Sequence, residues 1–235
     1  MPESNKDTPL GALKAMPAAD RRRSILDFIL NNAMYIIIAV AIIFIAIKVP
    51  SFLSLSSVIN ILSLTASKLP IALGVAGCIV LTGTDISAGR VVGLTACVGA
   101  SLLQMADYQN KMFPNLGVMP LWAVFLIVIA IGAAVGLVNG FFVAKFKLHP
   151  FIVTLSTQLI VFGLVLMYLM IGTNNGQTLS GLDSSYTEFI RGTLFTIGGV
   201  AIPKYVLYSA ALTVIMGVIW NKTKIGKNMF AVGSN

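Results

Sequence analysis

The chain has 235 residues, of which 57% are hydrophobic and 10% charged, with a mean hydropathy of +0.92. Soluble domains run at about 45–50% apolar and about 25% charged, and a soluble globule this size could not hide so much apolar surface behind a wettable exterior. Those figures exclude disorder, a disulfide-rich secreted scaffold and a coiled coil, and they leave an integral membrane protein whose outer surface faces lipid.

The formal charge is +8. In a soluble chain that would suggest nucleic acid. Here the cations are few and sit between apolar runs, where retention of Lys and Arg on the cytoplasmic side accounts for them. No nucleic-acid partner is expected. Cys78 and Cys97 lie inside apolar stretches and read as small packing residues. Neither has metal-ligand spacing to another ligand.

The predicted elements follow in chain order. Residues 1–27 form a polar, basic tail with Pro2, Pro9, Pro17 and the run Arg21-Arg22-Arg23, without the apolar core of a signal peptide. A bilayer core of about 30 Å takes about 20 helical residues. The first run is Phe28 to Ile47. The second, Leu55 to Thr82, is too long for one straight crossing, and Lys68-Leu69-Pro70 is expected to break it. The third is Ser87 to Met105, the fourth Leu121 to Val143, and the fifth Phe151 to Ile171. The sixth is Tyr205 to Trp220, short but closed by an aromatic anchor. The fold class is therefore all-α, a polytopic bundle of about six spans with the second broken. The membrane domain covers 28–220, and 221–235 is a second cytoplasmic tail. No alternating ten-residue segments of a β-barrel occur.

Charge placement sets the direction. With the N-terminus in the cytoplasm, Lys6, Lys14, Arg21, Arg22, Arg23, Arg90, Lys145, Lys147, Lys222, Lys224 and Lys227 fall inside. Lys48, Lys111, Arg191 and Lys204 fall outside. Both termini are expected in the cytoplasm. The longest external connection, Gly172 to Lys204, carries Asp183, Glu188 and Arg191 and has the length of a docking loop.

Four local features could carry function. Leu81-Thr82-Gly83-Thr84-Asp85-Ile86-Ser87-Ala88-Gly89-Arg90 joins two spans and is small, polar and flexible. It reads as a turn in which Asp85 or Ser87 caps the third helix, or as irregular backbone lining an aqueous path. Lys68 reads as a snorkelling residue or as one facing a cavity at a broken helix. Gly132, Gly136 and Gly140 fall four apart on one helix face and read as a packing stripe, with Asn139 beside them as interhelical glue. The basic segment Trp220 to Asn228 reads as an inside anchor. His149 is isolated and reads as a loop residue. No catalytic Ser-His-Asp set, H-E-x-x-H or Walker A pattern is present, so catalysis, metal binding and ATP hydrolysis are not expected of this chain.

Three stretches together carry a resemblance: LTGTDISAGR (Leu81 to Arg90), GLVNGFFVAKFKLHPFIVTL (Gly136 to Leu155) and WNKTKIGKNMFAVGSN (Trp220 to Asn235). With their spacing they resemble the permease subunits of bacterial ABC sugar importers of the ribose/galactose branch. The likeness runs from about residue 25 to the end. It implies half of a dimeric pore in the bacterial inner membrane for a simple sugar of the galactose or methyl-galactoside kind. The implied partners are a second copy of the permease, an ABC ATPase subunit that binds ATP and Mg, and a periplasmic sugar-binding protein. It places Thr82, Gly83, Thr84, Asp85 and Ser87 on the translocation path, to which the residue reading adds Lys68. The ATPase-coupling side falls on Lys224, Gly226, Asn228, Gly233, Ser234 and Asn235. Family permeases continue with further spans, so the chain is expected to be a fragment whose coupling segment would follow Asn235.

Two other readings compete. A self-contained six-span channel or secondary transporter would show an internal repeat, and none is visible. A membrane enzyme or assembly factor would cluster His, Asp or Glu at one membrane face, and those residues are isolated.

Overall fold

The apolar runs become helices in the computed structural model, which describes residues 18–234. Lys6 and Lys14 of the tail and the terminal Asn235 lie outside the described residues. The chain divides into two units, Met1–Val58 and Ile59–Asn235.

In the first unit, helix starts earlier than the polar composition suggested. α1 spans Ala18–Asn31 and α2 spans Ala33–Lys48, separated by Asn32. Asn32 Nδ2 donates to the Phe28 carbonyl at 2.9 Å and ties that joint. α2 buries none of its residues. A 3-10 turn at Pro50–Leu53 follows. Ser54 Oγ then accepts from the Ser57 amide at 3.2 Å, satisfying a donor of the next helix's first turn.

The second unit holds most of the bundle. α3 spans Leu55–Val80, α4 Ala88–Leu102, α5 Leu121–Phe146 and α6 Pro150–Leu169. Next come a short helix α7 at Ser184–Arg191, a hairpin of β1 (Thr193–Ile197) and β2 (Val200–Pro203), α8 at Lys204–Lys222, and α9 at Lys224–Gly233. α3, α5, α6 and α8 are long and apolar enough to cross a membrane, and α2 and α4 are shorter apolar helices. In the most apolar stretch of α5 only 6% is buried. The apolar surface therefore points outward, as lipid requires. α4, α5 and α6 pack on one another, while α9 and α7 pack on α8.

The expected break in the second span does not occur, because α3 is helical through Pro70. Proline removes one amide donor, which orphans the carbonyl four residues earlier, here that of Ala66. Ser209 Oγ on α8 donates to the Ala66 carbonyl at 2.5 Å, and both residues are buried. A side chain from another helix supplies the missing bond.

The segment Gly172 to Lys204 is also no plain loop. Asp183 Oδ1 accepts from the Ser185 amide at 2.8 Å and starts α7. β1 and β2 pair antiparallel, with Ile197 opposite Val200. Gly198 and Gly199 have φ of 56° and 82°, the double positive φ of a two-residue type I′ turn.

Residues 103–120 and 170–183 knit into a cap over one end of α4 and α6. Gln104 is fully buried; its Nε2 donates to the Ser180 carbonyl at 2.9 Å and its Oε1 accepts from the Met112 amide at 2.8 Å. Lys111, counted above among the outside cations, is buried with Nζ donating to the Leu116 carbonyl at 2.5 Å. Asp183 N donates to the Leu103 carbonyl at 2.8 Å, closing the cap onto α4.

Candidate functional site

α3 ends at the unusual polar segment, and its ending is strained. The Thr82 amide donates to the Ile79 carbonyl at 2.9 Å, and the Gly83 amide to that of Cys78 at 2.9 Å. This pattern needs a left-handed residue after the helix, normally glycine. Here that residue is Thr82, with φ 57°, and a β-branched residue with positive φ is an outlier. The glycine stands one position later.

The chain then forms a knot of side chains. Asp85 Oδ1 accepts from the Ser87 amide at 2.8 Å and the Ser87 hydroxyl at 2.6 Å. Asp85 thus closes a turn onto Ser87, the residue before α4, and the fully buried Ser87 caps nothing through its own side chain. Asn139 Nδ2 on α5 donates to Ser87 Oγ at 3.1 Å, and Thr157 Oγ1 on α6 donates to Asn139 Oδ1 at 2.6 Å. Thr154 Oγ1 accepts from the Ile86 amide at 3.3 Å and lies 3.2 Å from the Thr84 carbonyl. Side chains of two helices, α5 and α6, thus hold one stretch of irregular backbone.

The knot lies well inside the bundle. Asn139 is seven residues before the end of α5, and Thr157 seven after the start of α6. Both counts give about 10 Å from the α5–α6 turn at 1.5 Å per residue. α4 begins at this depth, which is why its 15 residues suffice to reach the cap. Arg90, counted above among the cations at the cytoplasmic side, is displaced with it. Its guanidinium stands 4.4 Å from the centroid of the Phe162 ring, about 18 Å along α6 from Pro150.

Two cavities flank the knot. One of about 420 Å³ is bounded by Ile71, Gly74 and Val75 of α3, Ala88, Val91 and Val92 of α4, and Gly132, Val135 and Gly136 of α5, with Asp85, Ser87 and Asn139 at its base. The second, about 230 Å³, lies toward the α5–α6 turn, where Cys78, Gly83, Thr84, Gly140, Val143, Pro150 and Thr154 line it. Asp85, Gly136 and Asn139 line both. The knot is the partition between them.

Of the path residues expected from sequence, Gly83, Thr84, Asp85 and Ser87 line these cavities, and Thr82 shapes the turn above them. Lys68 lines neither cavity and is exposed. It stands three residues before Ile71 and seven before Val75, on the helix face those residues present to the larger cavity. Among the described residues no other helix packs on the glycine stripe. A Cβ at Gly132, Gly136 or Gly140 would meet nothing within 4 Å, because these positions border the open space. Asn139 is the centre of the knot. Thr154 and Thr157 were missed, although their i, i+3 spacing puts two hydroxyls on one face of α6.

On the coupling side, Thr223 separates α8 from α9, its Oγ1 accepting from the Gly226 amide at 3.3 Å. Gly226 is buried where a Cβ would strike the Trp220 carbonyl. Gly233 is pressed against the Val80 carbonyl at the end of α3. Lys224 and Asn228 lie on α9 and are exposed. Among the described residues no group of His, Cys, Asp and Glu could hold a metal ion. The arrangement offers polar contacts of low charge, suited to passing a neutral polar solute.

A family profile described as "Branched-chain amino acid transport system / permease component" matches residues 57–235. The galactose/methyl galactoside import permease protein MglC of Escherichia coli (strain K12) is 42% identical over 219 residues, covering 93% of this chain and 64% of that protein. Its namesake from Haemophilus influenzae is 38% identical, covering 94% and 64%. The ribose import permease protein RbsC of Bacillus subtilis (strain 168) is 30% identical, covering 83% and 55%. The chain thus spans 64% of the length of the MglC proteins from E. coli and H. influenzae. No solved structure matches.

Proposed function

We propose that this chain, which belongs to the permease-component family matched over residues 57–235, is the pore-forming part of an importer for galactose or a methyl-galactoside. The observation that carries this reading is the partition. Asp85, Ser87 and Asn139, tied by hydrogen bonds of 2.6–3.1 Å, separate two open clefts of a membrane bundle. Non-helical backbone at that depth is tolerated where it lines a polar path or is buried in protein. Hydroxyls and an amide hold sugar hydroxyls weakly and let them go. Opening requires only that the knot's members separate, as they would if α3 moved against α5 and α6.

In this reading ATP is hydrolysed by a separate ABC ATPase subunit, a periplasmic binding protein delivers the sugar, and a second permease copy completes the pore in the inner membrane. Lys145 and Lys147 at the α5–α6 turn and Lys222, Lys224 and Lys227 near α9 support a cytoplasmic position for those ends. The relatives' printed names and the 42% identity support the sugar class.

The test is radiolabelled galactose uptake by cells carrying the complete transporter, with Asn139→Leu introduced. A fall of about tenfold or more is expected, since an apolar group at the partition removes the donor to Ser87 and the acceptor of Thr157. Unchanged uptake with the variant present in the membrane overturns the assignment. Uptake that survives removal of the ATPase subunit would favour a self-contained channel instead.

A further inference from the structure

The Pro70 gap has a consequence for the partition. An uninterrupted helix fixes its own course through its amide ladder, but α3 lacks one rung at Ala66–Pro70. The rung is replaced from outside by Ser209 of α8 at 2.5 Å, in a contact where both residues are 5% exposed. Ile59, Ser63 and Ala66 form one buried stripe on α3, so the orphaned carbonyl faces protein and has no water to turn to.

The part of α3 beyond Pro70 is the part that lines the cavities, through Ile71, Gly74, Val75 and Cys78. It runs directly into Thr82 and the knot. Its far end is held by the same pair of helices. Gly77 lies where a Cβ would be 3.6 Å from Met229 Cε, and Gly233 abuts the Val80 carbonyl. α8 and α9 therefore meet α3 on either side of this half, Ser209 at Ala66 just before Pro70 and α9 at Gly77 and Val80 near its end.

We propose that Ser209 is a positioning residue: by bonding the carbonyl that Pro70 frees, it sets the course of the cavity-lining half of α3 and so the closure of the partition. The functional meaning of that closure rests on the pore reading above; the positioning itself does not.

The experiment uses Cys78 as a built-in reporter. The chain has two cysteines, so Cys97→Ala leaves Cys78 alone, half-buried on the smaller cavity. Its rate of maleimide labelling is measured in native membranes, without sugar or nucleotide, for Ser209→Ala, Pro70→Ala, the double variant and Ser209→Thr. Ser209→Ala is expected to speed labelling about threefold or more. Pro70→Ala restores the amide that bonds Ala66, so Ser209→Ala added to it should change nothing further. Ser209→Thr keeps the hydroxyl and should label as the parent does.

Independent, multiplying effects of the two substitutions would overturn the proposal, as would a rate unmoved by Ser209→Ala. If Ser209→Ala alone fails to reach the membrane, the double variant decides. Its normal insertion and parental labelling support the proposal, and its loss overturns it. Galactose uptake by the same strains reports separately on the pore reading, since labelling needs no transport.

Discussion

The knot around Asp85 and the cap around Gln104 are built alike and behave differently. Each is irregular backbone held by buried polar side chains: Ser87 and Asn139 in one, Gln104 and Lys111 in the other. Their glycines differ. In the cap, a Cβ on Gly172 would overlap the Met112 carbonyl and one on Gly181 the Tyr108 ring, and both residues have positive φ, 67° and 71°. Around the knot, a Cβ on Gly74, Gly132, Gly136 or Gly140 would meet nothing within 4 Å. The cap borders clefts of its own, about 470 Å³ beside Met112 and Gly172 and about 260 Å³ beside Leu103 and Asp183, so open volume alone does not separate the two regions. The difference is local: main chain and a ring press on Gly172 and Gly181, while the glycines of α3 and α5 beside the knot leave room for a side chain.

The sharpest way to break this contrast is to put the same methyl group in both places. Gly172→Ala should cost on the order of 3 kcal/mol, from a left-handed backbone and a clash with main chain. Thermal unfolding in detergent should then fall by several degrees. Gly136→Ala should leave unfolding unchanged or raise it slightly, since alanine is the better helix former. Its effect should appear in galactose uptake, because the added group enters both cavities. A matched loss of stability at the two sites would end the distinction.

Removing one member of the knot comes next in size. Asn139→Ala removes the donor to Ser87 Oγ, which keeps its own bond to Asp85, and leaves the half-buried Thr157 hydroxyl without its acceptor; it should cost about 1–2 kcal/mol. Asn139→Asp keeps an acceptor for Thr157 but gives up the donor to Ser87, and adds a charge near Asp85. It should be worse than alanine at neutral pH.

A comparable effect carries the opposite sign. Thr82→Gly relieves a β-branched residue at φ 57° and should stabilise the chain by about 1–2 kcal/mol. If the strain keeps the turn ready to change, uptake should fall as the unfolding temperature rises. A variant both more stable and fully active would show that the strained turn has no part in transport.

The spans were legible because lipid imposes length and apolarity locally: the run starting at Leu121 begins where α5 does, and the run from Tyr205 begins one residue after α8. What failed needed information from elsewhere in the chain. Pro70 predicts a break unless another helix supplies a donor to the Ala66 carbonyl, and Ser209 lies 143 residues from Ala66. A glycine stripe looks the same whether a helix packs on it or a cavity opens beside it. The bond between Asn139 and Ser87 joins residues 52 apart. The hairpin is different, because its signal was local and readable: Gly198-Gly199 between Leu194-Phe195-Thr196-Ile197 and Val200-Ala201-Ile202 is a two-residue turn between β-forming runs.

The mildest test concerns the short helix α7, whose first turn should respond to acid. Hydrogen bonding from Ser185, through its side chain and then its amide, holds the Asp183 carboxyl below its usual range. A carboxyl lowered in the folded state stabilises at pH values above its unfolded value of about 3.9, and that contribution is lost as pH falls through the folded value. Hydrogen exchange of the first turn of α7 should therefore rise only as pH drops below about 4. Asp183→Asn keeps an oxygen for the Ser185 amide but cannot titrate, so its exchange should stay flat over the same range. Asp183→Ala should exchange quickly at every pH. Acid-dependent exchange in Asp183→Asn would place the responsible proton on another group and remove Asp183 as the cap of α7.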